Sequence, residues 1–297
     1  MKQLTETLAK FPWPQIIEQQ VNAAITEDLG GNNLDNDVTG RLLNPHSQSN
    51  AQLLTREFMV VCGIDWCNQV FQKINPSIQC EWLVQDGDII EANSLLAKIK
   101  GPSKALLTAE RIAMNFLQTL SATATSTYQL ANLIQDLPCQ LLDTRKTIPG
   151  LRMAQKYAVY CGGGANHRIG LFDRFLIKEN HILACGDIGE AIQKARTLRP
   201  ELLVEIEVEN REELAQATSA KADIIMLDNF SVEQTKLAVD YIKTIHANSK
   251  NQIKLESSGN INENSIRDYA LTGVDFVSVG AITKYVEAID LSLRLVE

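Results

Sequence analysis

Residues 202–208 read L-L-V-E-I-E-V, a helix start follows at Asn210 with Glu213 three positions on, and residues 224–228 read I-I-M-L-D. This is a strand, a capped helix and a second strand. In the first strand the two-residue period sets Glu205, Glu207 and Glu209 on one side and Val204, Ile206 and Val208 on the other. The apolar side calls for a helix layer, so the acidic side lines the inside of the sheet. Carboxylates buried there need partners. Either Lys178 and Arg145 neutralise them, or Glu207 with Asp228 on the next strand supports a hard cation such as Mg²⁺, which takes one or two carboxylates plus substrate oxygens. The two arrangements are compatible, with lysine pairing when the site is empty.

Outward from this unit the pattern repeats. Further strands read L-L-D (141–143), F-L-I-K (175–178), I-K-L-E-S (253–257) and F-V-S-V-G (276–280). Asp187 with Glu190 and Ser231 with Gln234 have the spacing of capping boxes, and Pro149 suits the first turn of a helix after Asp143. Strands alternating with helices predict a parallel sheet, closed or nearly closed as a barrel. A doubly wound open sheet is disfavoured because no G-x-G-x-x-G follows the first strand.

In a barrel the ligand site lies at the C-terminal ends of the strands. Those ends carry Asp143, Arg145 and Lys146; Lys178, Asn180 and His181; Glu207 and Glu209; Asp228 and Asn229; Ser257, Ser258 and Gly259; and Gly280. The segment from Asp143 to His181 holds seven fixed cations, Arg145, Lys146, Arg152, Lys156, Arg168, Arg174 and Lys178, against Asp143, Asp173 and Glu179. The whole chain has a net charge of −8. A local cationic excess in an acidic protein, beside His167 and His181, reads as a pocket for a small polyanion. A solvated basic face would give the same charge count, but not the recurrence at one end of successive strands. The small residues of E-S-S-G-N and S-V-G-A precede helix starts whose backbone N–H groups can take a phosphate.

Residues before about 107 form a different layer. Ile16, Ile17, Val21 and Ile25 have helical spacing and lead into Gly30-Gly31, which can end a helix. Short strand-like runs follow at 51–55, 58–62 and 80–84, and the alternation between Asp86-Gly87 and Gly101-Pro102 fits antiparallel hairpins. Asp35, Asp37 and Thr39 are read as caps and turns. A long helix is predicted from near Thr108, with Ile112, Phe116, Leu117 and Leu120 facing a core and Arg111 projecting from its first turn. The Ser/Thr-rich interval 121–127 suggests a second helical segment. At 297 residues and 45% hydrophobic content, one large domain or a large and a small one are expected. No basic arm points to nucleic acid. Six scattered cysteines without C-x-x-C argue against a disulfide framework or a zinc site, and neither a signal peptide nor a membrane span is visible, so a reduced cytoplasmic protein is expected.

Taken together, the blocks E-D-L-G near residue 27, A-E-R-I-A-M-N-F-L-Q at 109, D-T-R-K-T-I-P-G-L-R at 143, K-Y-A-V-Y-C-G-G-G-A-N-H-R at 156, L-I-K-E-N-H at 176, E-V-E at 207, L-D-N-F at 227 and E-S-S-G at 256 resemble the quinolinate phosphoribosyltransferases nearly end to end. The resemblance implies an α/β protein with an N-terminal α/β open-faced sandwich (1–112, joined by the C-terminal tail from about 285 to 297) and an incomplete, TIM-like α/β barrel (113–284). It implies transfer of phosphoribosyl from phosphoribosyl pyrophosphate to quinolinate with decarboxylation, giving nicotinate mononucleotide, pyrophosphate and CO₂ with Mg²⁺. It further implies a homodimer in which Arg111 reaches into the partner's site. Carried over residue by residue, Arg111, Arg145, His167, Arg168 and Lys178 would hold the carboxylates of quinolinate. Glu207 and Asp228 would meet ribose hydroxyls and magnesium, and Lys146, Ser258, Gly259 and Gly280 would take phosphates. Lys178, Glu207 and Asp228 are the expected catalytic groups. Asn260 stands where many relatives have glycine, and asparagine tolerates the left-handed backbone such a turn needs. Two other readings share many of these residues: a non-decarboxylating phosphoribosyltransferase, such as a nicotinate or molybdenum-associated homologue, and a Schiff-base sugar-phosphate aldolase using Lys178.

Overall fold

The structure is a computed structural model that describes residues 6–31, 33–246 and 252–296. The first part of the chain forms α1 (Glu6–Ala9), α2 (Trp13–Leu29), β1 (Gln48–Thr55), β2 (Met59–Val60), α3 (Ile64–Ile74), β3 (Gln79–Trp82), β4 (Ile89–Ile90), β5 (Leu95–Pro102) and α4 (Ser103–Asn132). There follow β6 (Gln140–Leu142), α5 (Arg152–Cys161), β7 (Phe175–Ile177), α6 (Glu179–Cys185), α7 (Ile188–Leu198), β8 (Val204–Val208) and α8 (Arg211–Ser219). The chain ends with β9 (Ile224–Asp228), α9 (Val232–His246), β10 (Lys254–Ser258), α10 (Ile266–Leu271), β11 (Phe276–Ser278), α11 (Ala281–Lys284) and β12 (Leu291–Val296).

These elements divide into two compact units. One takes the described parts of Met1–Tyr128 and Tyr285–Glu297 together with Ile148–Gly163; the other takes Gln129–Thr147 and the described parts of Gly164–Lys284. In the first unit four strands form a sheet ordered β12-β1-β5-β3, antiparallel throughout. Strand β2 pairs with β4, also antiparallel. Helix α2 buries Trp13, Ile17, Val21, Ile25 and Leu29 along one face and stops where Gly30 turns left-handed, at φ 62°. Asp37 behaves as a turn residue, accepting from the Gly40 N–H (2.8 Å) and from Thr108 Oγ1 (2.6 Å).

Helix α4 begins at Ser103, five residues before the expected start, and runs unbroken through the Ser/Thr-rich interval. Thr125 and Thr127 donate to the carbonyls four residues back (2.7 Å each), which keeps their hydroxyls satisfied inside the helix. The same hydroxyls serve the strand beside them: Val60 N–H donates to Thr125 Oγ1 (2.8 Å) and Cys62 N–H to Ser121 Oγ (3.0 Å).

Helix α5 overturns one expectation. Pro149 and Gly150 form a turn and the helix starts only at Arg152. It joins the first unit, where Gln155, Lys156 and Tyr157 are fully buried. Tyr157 packs its ring 5.6 Å from Trp13 and 5.8 Å from Trp66, centroid to centroid. Its hydroxyl donates to Asp86 Oδ2 (2.8 Å), while Asp86 Oδ1 accepts from Gly63 N–H at the start of α3 (3.0 Å). At the C-terminal end of α5, Gly162 lies so close to α4 that an added Cβ would stand 2.3 Å from the Ala124 carbonyl oxygen.

The second unit is built on one sheet of six parallel strands, ordered β6-β11-β10-β9-β8-β7. Helices separate the strands along the chain, and β6 and β7 are the two ends of the row, so the barrel is incomplete. Strand β8 is buried on both faces, as expected of a parallel strand between a helix layer and an interior. Register places Glu207 level with Met226, and Met226 level with Glu256; two residues on, Asp228 is level with Ser258. The anticipated helix caps form. Asp187 accepts from Glu190 N–H (2.8 Å), Asn210 from Glu213 N–H (2.9 Å) and Ser231 from Gln234 N–H (3.2 Å). Among the described residues no helix is long and apolar enough to cross a membrane. All six cysteines are free thiols.

Candidate functional site

Because all six strands of the second unit run the same way, their C-terminal ends share one edge, where the sequence concentrates its polar residues. At the end of β6, Asp143 is fully buried. Its carboxylate accepts from His167 N–H (2.9 Å) and from Asn166 Nδ2 (2.8 Å), tying the N-H-R segment to that strand end. The T-R-K loop beyond it is braced by α11 and by Gly280 just before it. Thr283 donates to the Lys146 carbonyl (2.8 Å), and an added Cβ on Gly280 would come within 2.8 Å of Lys146 Cδ. A side chain at this position would have to push the lysine stem aside.

The ends of β9 and β10 interlock in a similar way. Asn229 N–H donates to the Ser258 carbonyl (2.9 Å), and its side chain donates to Asp228 Oδ2 (2.8 Å). Gly259 has φ +105°, and a Cβ there would meet Asn229 Oδ1 at 2.2 Å. Asn229 and Asn260 both adopt the left-handed conformation, at φ 55° and 51°, which asparagine tolerates better than other non-glycine residues.

Lys178, at the end of β7, forms an ion pair with Glu207 on β8. Burial pushes the Glu207 carboxyl up from its ordinary value, Lys178 pulls it back, and the charges of Asp228 and Glu179 add to the rise. His181 is exposed, and its Nδ1 accepts from the Lys178 N–H (3.0 Å), which closes the first turn of α6. Arg168 is half-buried, and burial lowers its affinity for its proton; the neighbouring Arg145 guanidinium lowers it further. Guanidinium groups near enough to act on one another in partial burial are chemically suited to take an anion.

His167 sits deeper than the strand-end groups. Its ring is buried, Nδ1 accepts from Arg168 N–H (2.8 Å), and Nε2 therefore donates to Glu205 Oε1 (3.0 Å). The other Glu205 oxygen accepts from Arg174 Nη1 (3.1 Å). Burial works to raise Glu205, but His167 and Arg174 outweigh it and hold the carboxyl below its usual range. Glu256, also fully buried, lies 3.6 Å from His167 Nε2 and is driven well up by burial and by the charge on Glu205. His167, Glu205 and Glu256 have ligand atoms within 4.8 Å of one another. A cation there would have to displace the hydrogen on Nε2 and face Arg174, so the cluster neutralises itself better than it would hold a metal.

Of the predicted site residues, Arg145, Lys146, His167, Arg168, Lys178, Glu207, Asp228, Ser258, Gly259 and Gly280 all belong to the second unit. Arg111 is exposed on α4 in the first unit, and Arg152 and Lys156, counted among the clustered cations, belong with α5 to the first unit as well. Sequence reasoning missed the roles of Glu256 and Arg174. The signal for Glu256 was present in the register of I-K-L-E-S against I-I-M-L-D; nothing local marks Arg174.

Two family models match in tandem: quinolinate phosphoribosyl transferase, N-terminal domain, over residues 37–121, and quinolinate phosphoribosyl transferase, C-terminal domain, over residues 123–294. A quinolinate phosphoribosyltransferase (decarboxylating) of Nicotiana glauca is 36% identical over 292 residues, covering 94% of this chain and 82% of that protein. The solved structure of the nicotinate-nucleotide pyrophosphorylase from Francisella tularensis has a TM-score of 0.90 at 48% identity, over 98% of this chain and 100% of that one. That of the nicotinate-nucleotide pyrophosphorylase from Ehrlichia chaffeensis has a TM-score of 0.86 at 36% identity, over 96% and 99%.

Proposed function

This chain belongs to the quinolinate phosphoribosyl transferase family, and we propose that the strand-end cations and acids of its second unit carry out that family's reaction. The protein transfers phosphoribosyl from phosphoribosyl pyrophosphate to quinolinate with loss of CO₂, giving nicotinate mononucleotide and pyrophosphate for NAD biosynthesis. The observation that best supports this use of the site is the half-buried Arg168, whose charge is opposed by burial and by the nearby Arg145 in the unit that also holds His167 and Lys178. A pyridine with two adjacent carboxylates is an anion that guanidinium groups hold well.

In this reading Arg145, Arg168, His167 and Lys178 orient quinolinate so that its ring nitrogen faces C1 of the ribose. The C1–oxygen bond to pyrophosphate breaks through an oxocarbenium-like state as the nitrogen–C1 bond forms, so alignment and charge stabilisation matter more than a strong base. The ring is then a pyridinium. It holds the electron pair left when the adjacent carboxylate departs as CO₂, and that carbon takes up a proton. Lys146, Ser258, Gly259 and Gly280 receive phosphate groups, the last two because bare backbone at the strand ends admits close approach. Glu207 and Asp228, near enough that the charge of one raises the other, fit the donor set of a hard cation completed by ribose and pyrophosphate oxygens. Magnesium held there would assist departure of pyrophosphate.

Arg111 we assign to a site shared in a homodimer, and the protein to the cytoplasm. The aldolase reading of Lys178 gives way to family membership. The test follows formation of nicotinate mononucleotide by the wild type and by Arg145→Ala. Product should require both substrates, and the variant should lose about ten- to a hundredfold in kcat/KM, the scale of one charge-assisted contact. Near-wild-type turnover by Arg145→Ala would show that the site is misplaced.

A further inference from the structure

Arg174 has no part in the reaction as assigned above, yet it ends the loop that presents Arg168. The loop is fastened at intervals. Asp143 holds the His167 backbone, and the Asp173 carboxylate accepts from Ile169 N–H (2.8 Å) and Gly170 N–H (2.9 Å). Its two ends then meet on one acid: His167 Nε2 donates to Glu205 Oε1 (3.0 Å) and Arg174 Nη1 to Glu205 Oε2 (3.1 Å). Glu205 is fully buried, and Arg174 is mostly so, with its side chain 18% exposed. A single carboxylate from β8 thus closes a ring around the residues that include Arg168.

The His167 ring also has a second acceptor within reach. Glu256 Oε2 lies 3.6 Å from Nε2, and that buried carboxyl stands beside Glu205 and the Ser278 hydroxyl without a well-aligned hydrogen bond of its own. The imidazole can therefore settle on either of two acids. Arg174, by pairing with Glu205, keeps that group an anion and the stronger acceptor. Without the guanidinium, Glu205 would be a buried acid with one oxygen unmet, and the preference would weaken.

We propose that Arg174 is a positioning residue for the pyridine dicarboxylate. Acting through Glu205, it fixes the His167 ring and the Arg168 loop, and so sets affinity for quinolinate without touching the phosphoribosyl half of the site. This rests on the assignment of quinolinate to Arg168 and His167. Its test is steady-state kinetics of Arg174→Met with each substrate varied in turn. KM for quinolinate should rise about tenfold while KM for phosphoribosyl pyrophosphate stays within about twofold, a free-energy change of about 1.4 kcal/mol confined to one substrate. Arg174→Lys should give a smaller rise of about threefold, again for quinolinate alone. In a Glu205→Gln background Arg174→Met should add nothing further, since the arginine acts through that acid.

A rise in both KM values together, no rise in either, or a full additional factor in the Glu205→Gln background would overturn the proposal. If Arg174→Met does not fold, Arg174→Lys decides it by the same selectivity: an equal effect on both substrates, or none, rejects it. Failure of the wild type to consume quinolinate at all would instead reject the functional assignment on which the proposal stands.

Discussion

Replacing Arg168 by methionine separates two properties that usually fall together. In the folded protein this guanidinium is half-buried near Arg145, and burial and that like charge outweigh the support its own charge receives from Glu205 and Asp173. With quinolinate absent, exchanging it for an apolar chain of similar reach removes a desolvated cation and one repulsion. The unliganded variant should therefore unfold at a temperature no lower than wild type, as often holds when a residue is kept for binding at the expense of stability. Binding should suffer instead. One charge-assisted contact is worth about 1.5–3 kcal/mol, which at about 1.4 kcal/mol per decade weakens quinolinate by about 10-fold to 150-fold. A ligand at a hundred times its dissociation constant stabilises the wild type by about 2.7 kcal/mol. At the same concentration a variant weakened a hundredfold would gain only about 0.4 kcal/mol. Thermal unfolding with and without quinolinate, backed by calorimetric titration, reads both quantities. An unliganded variant that melts several degrees lower yet keeps its quinolinate shift would refute the reasoning and make Arg168 a structural residue.

Two further outcomes test other parts of the structure. Gly162→Ala should destabilise by about 1–3 kcal/mol in urea unfolding, because its methyl would enter the space held by the Ala124 carbonyl oxygen and, at 2.8 Å, Thr127 Cβ; an unchanged midpoint would contradict the close packing of α5 on α4. The Asp136 carboxyl, hydrogen-bonded by Arg267, is lowered to about 2. Since the folded value lies below the unfolded one, the pair's contribution is present above about pH 4 and fades as pH falls through about 2. Carboxyl-carbon NMR should place the Asp136 midpoint near 2 in the wild type and near 4 in Arg267→Ala, and a wild-type midpoint already near 4 would dismiss the pair.

The strands of the second unit were legible because parallel strands buried on both faces leave short apolar runs, and because their helices open on side chains that cap them, as Asp187, Asn210 and Ser231 do. The strand-end site followed from that, since strand direction alone gathers Lys178, Glu207, Asp228 and Ser258 on one edge. Less was readable where tertiary context decides. Residues 152–161 look like one more barrel helix locally, and only the Trp13–Trp66–Tyr157 cluster and the Asp86 carboxylate show why they pack into the other unit. The Ser/Thr run in α4 suggested an interruption because hydroxyls compete with helix hydrogen bonds. Here they bond back to their own helix and meet β2 and Cys62. The inner ring of Arg174, Glu205 and His167 escaped for a different reason: it joins residues 31 and 38 positions apart through one buried carboxylate.

Strand β12 has a consequence for how the protein is made. It follows the whole six-stranded unit in sequence, yet it borders β1 in a sheet otherwise assembled from residues 48–102. On the ribosome that early sheet must wait, one flank bare, until the whole six-stranded unit has been translated and residues 291–296 have left the exit tunnel. A nascent chain in that interval offers an open hydrogen-bonding edge to its neighbours. Residues 291–296 therefore guard a sheet edge that residues 48–55 lay down far earlier in synthesis.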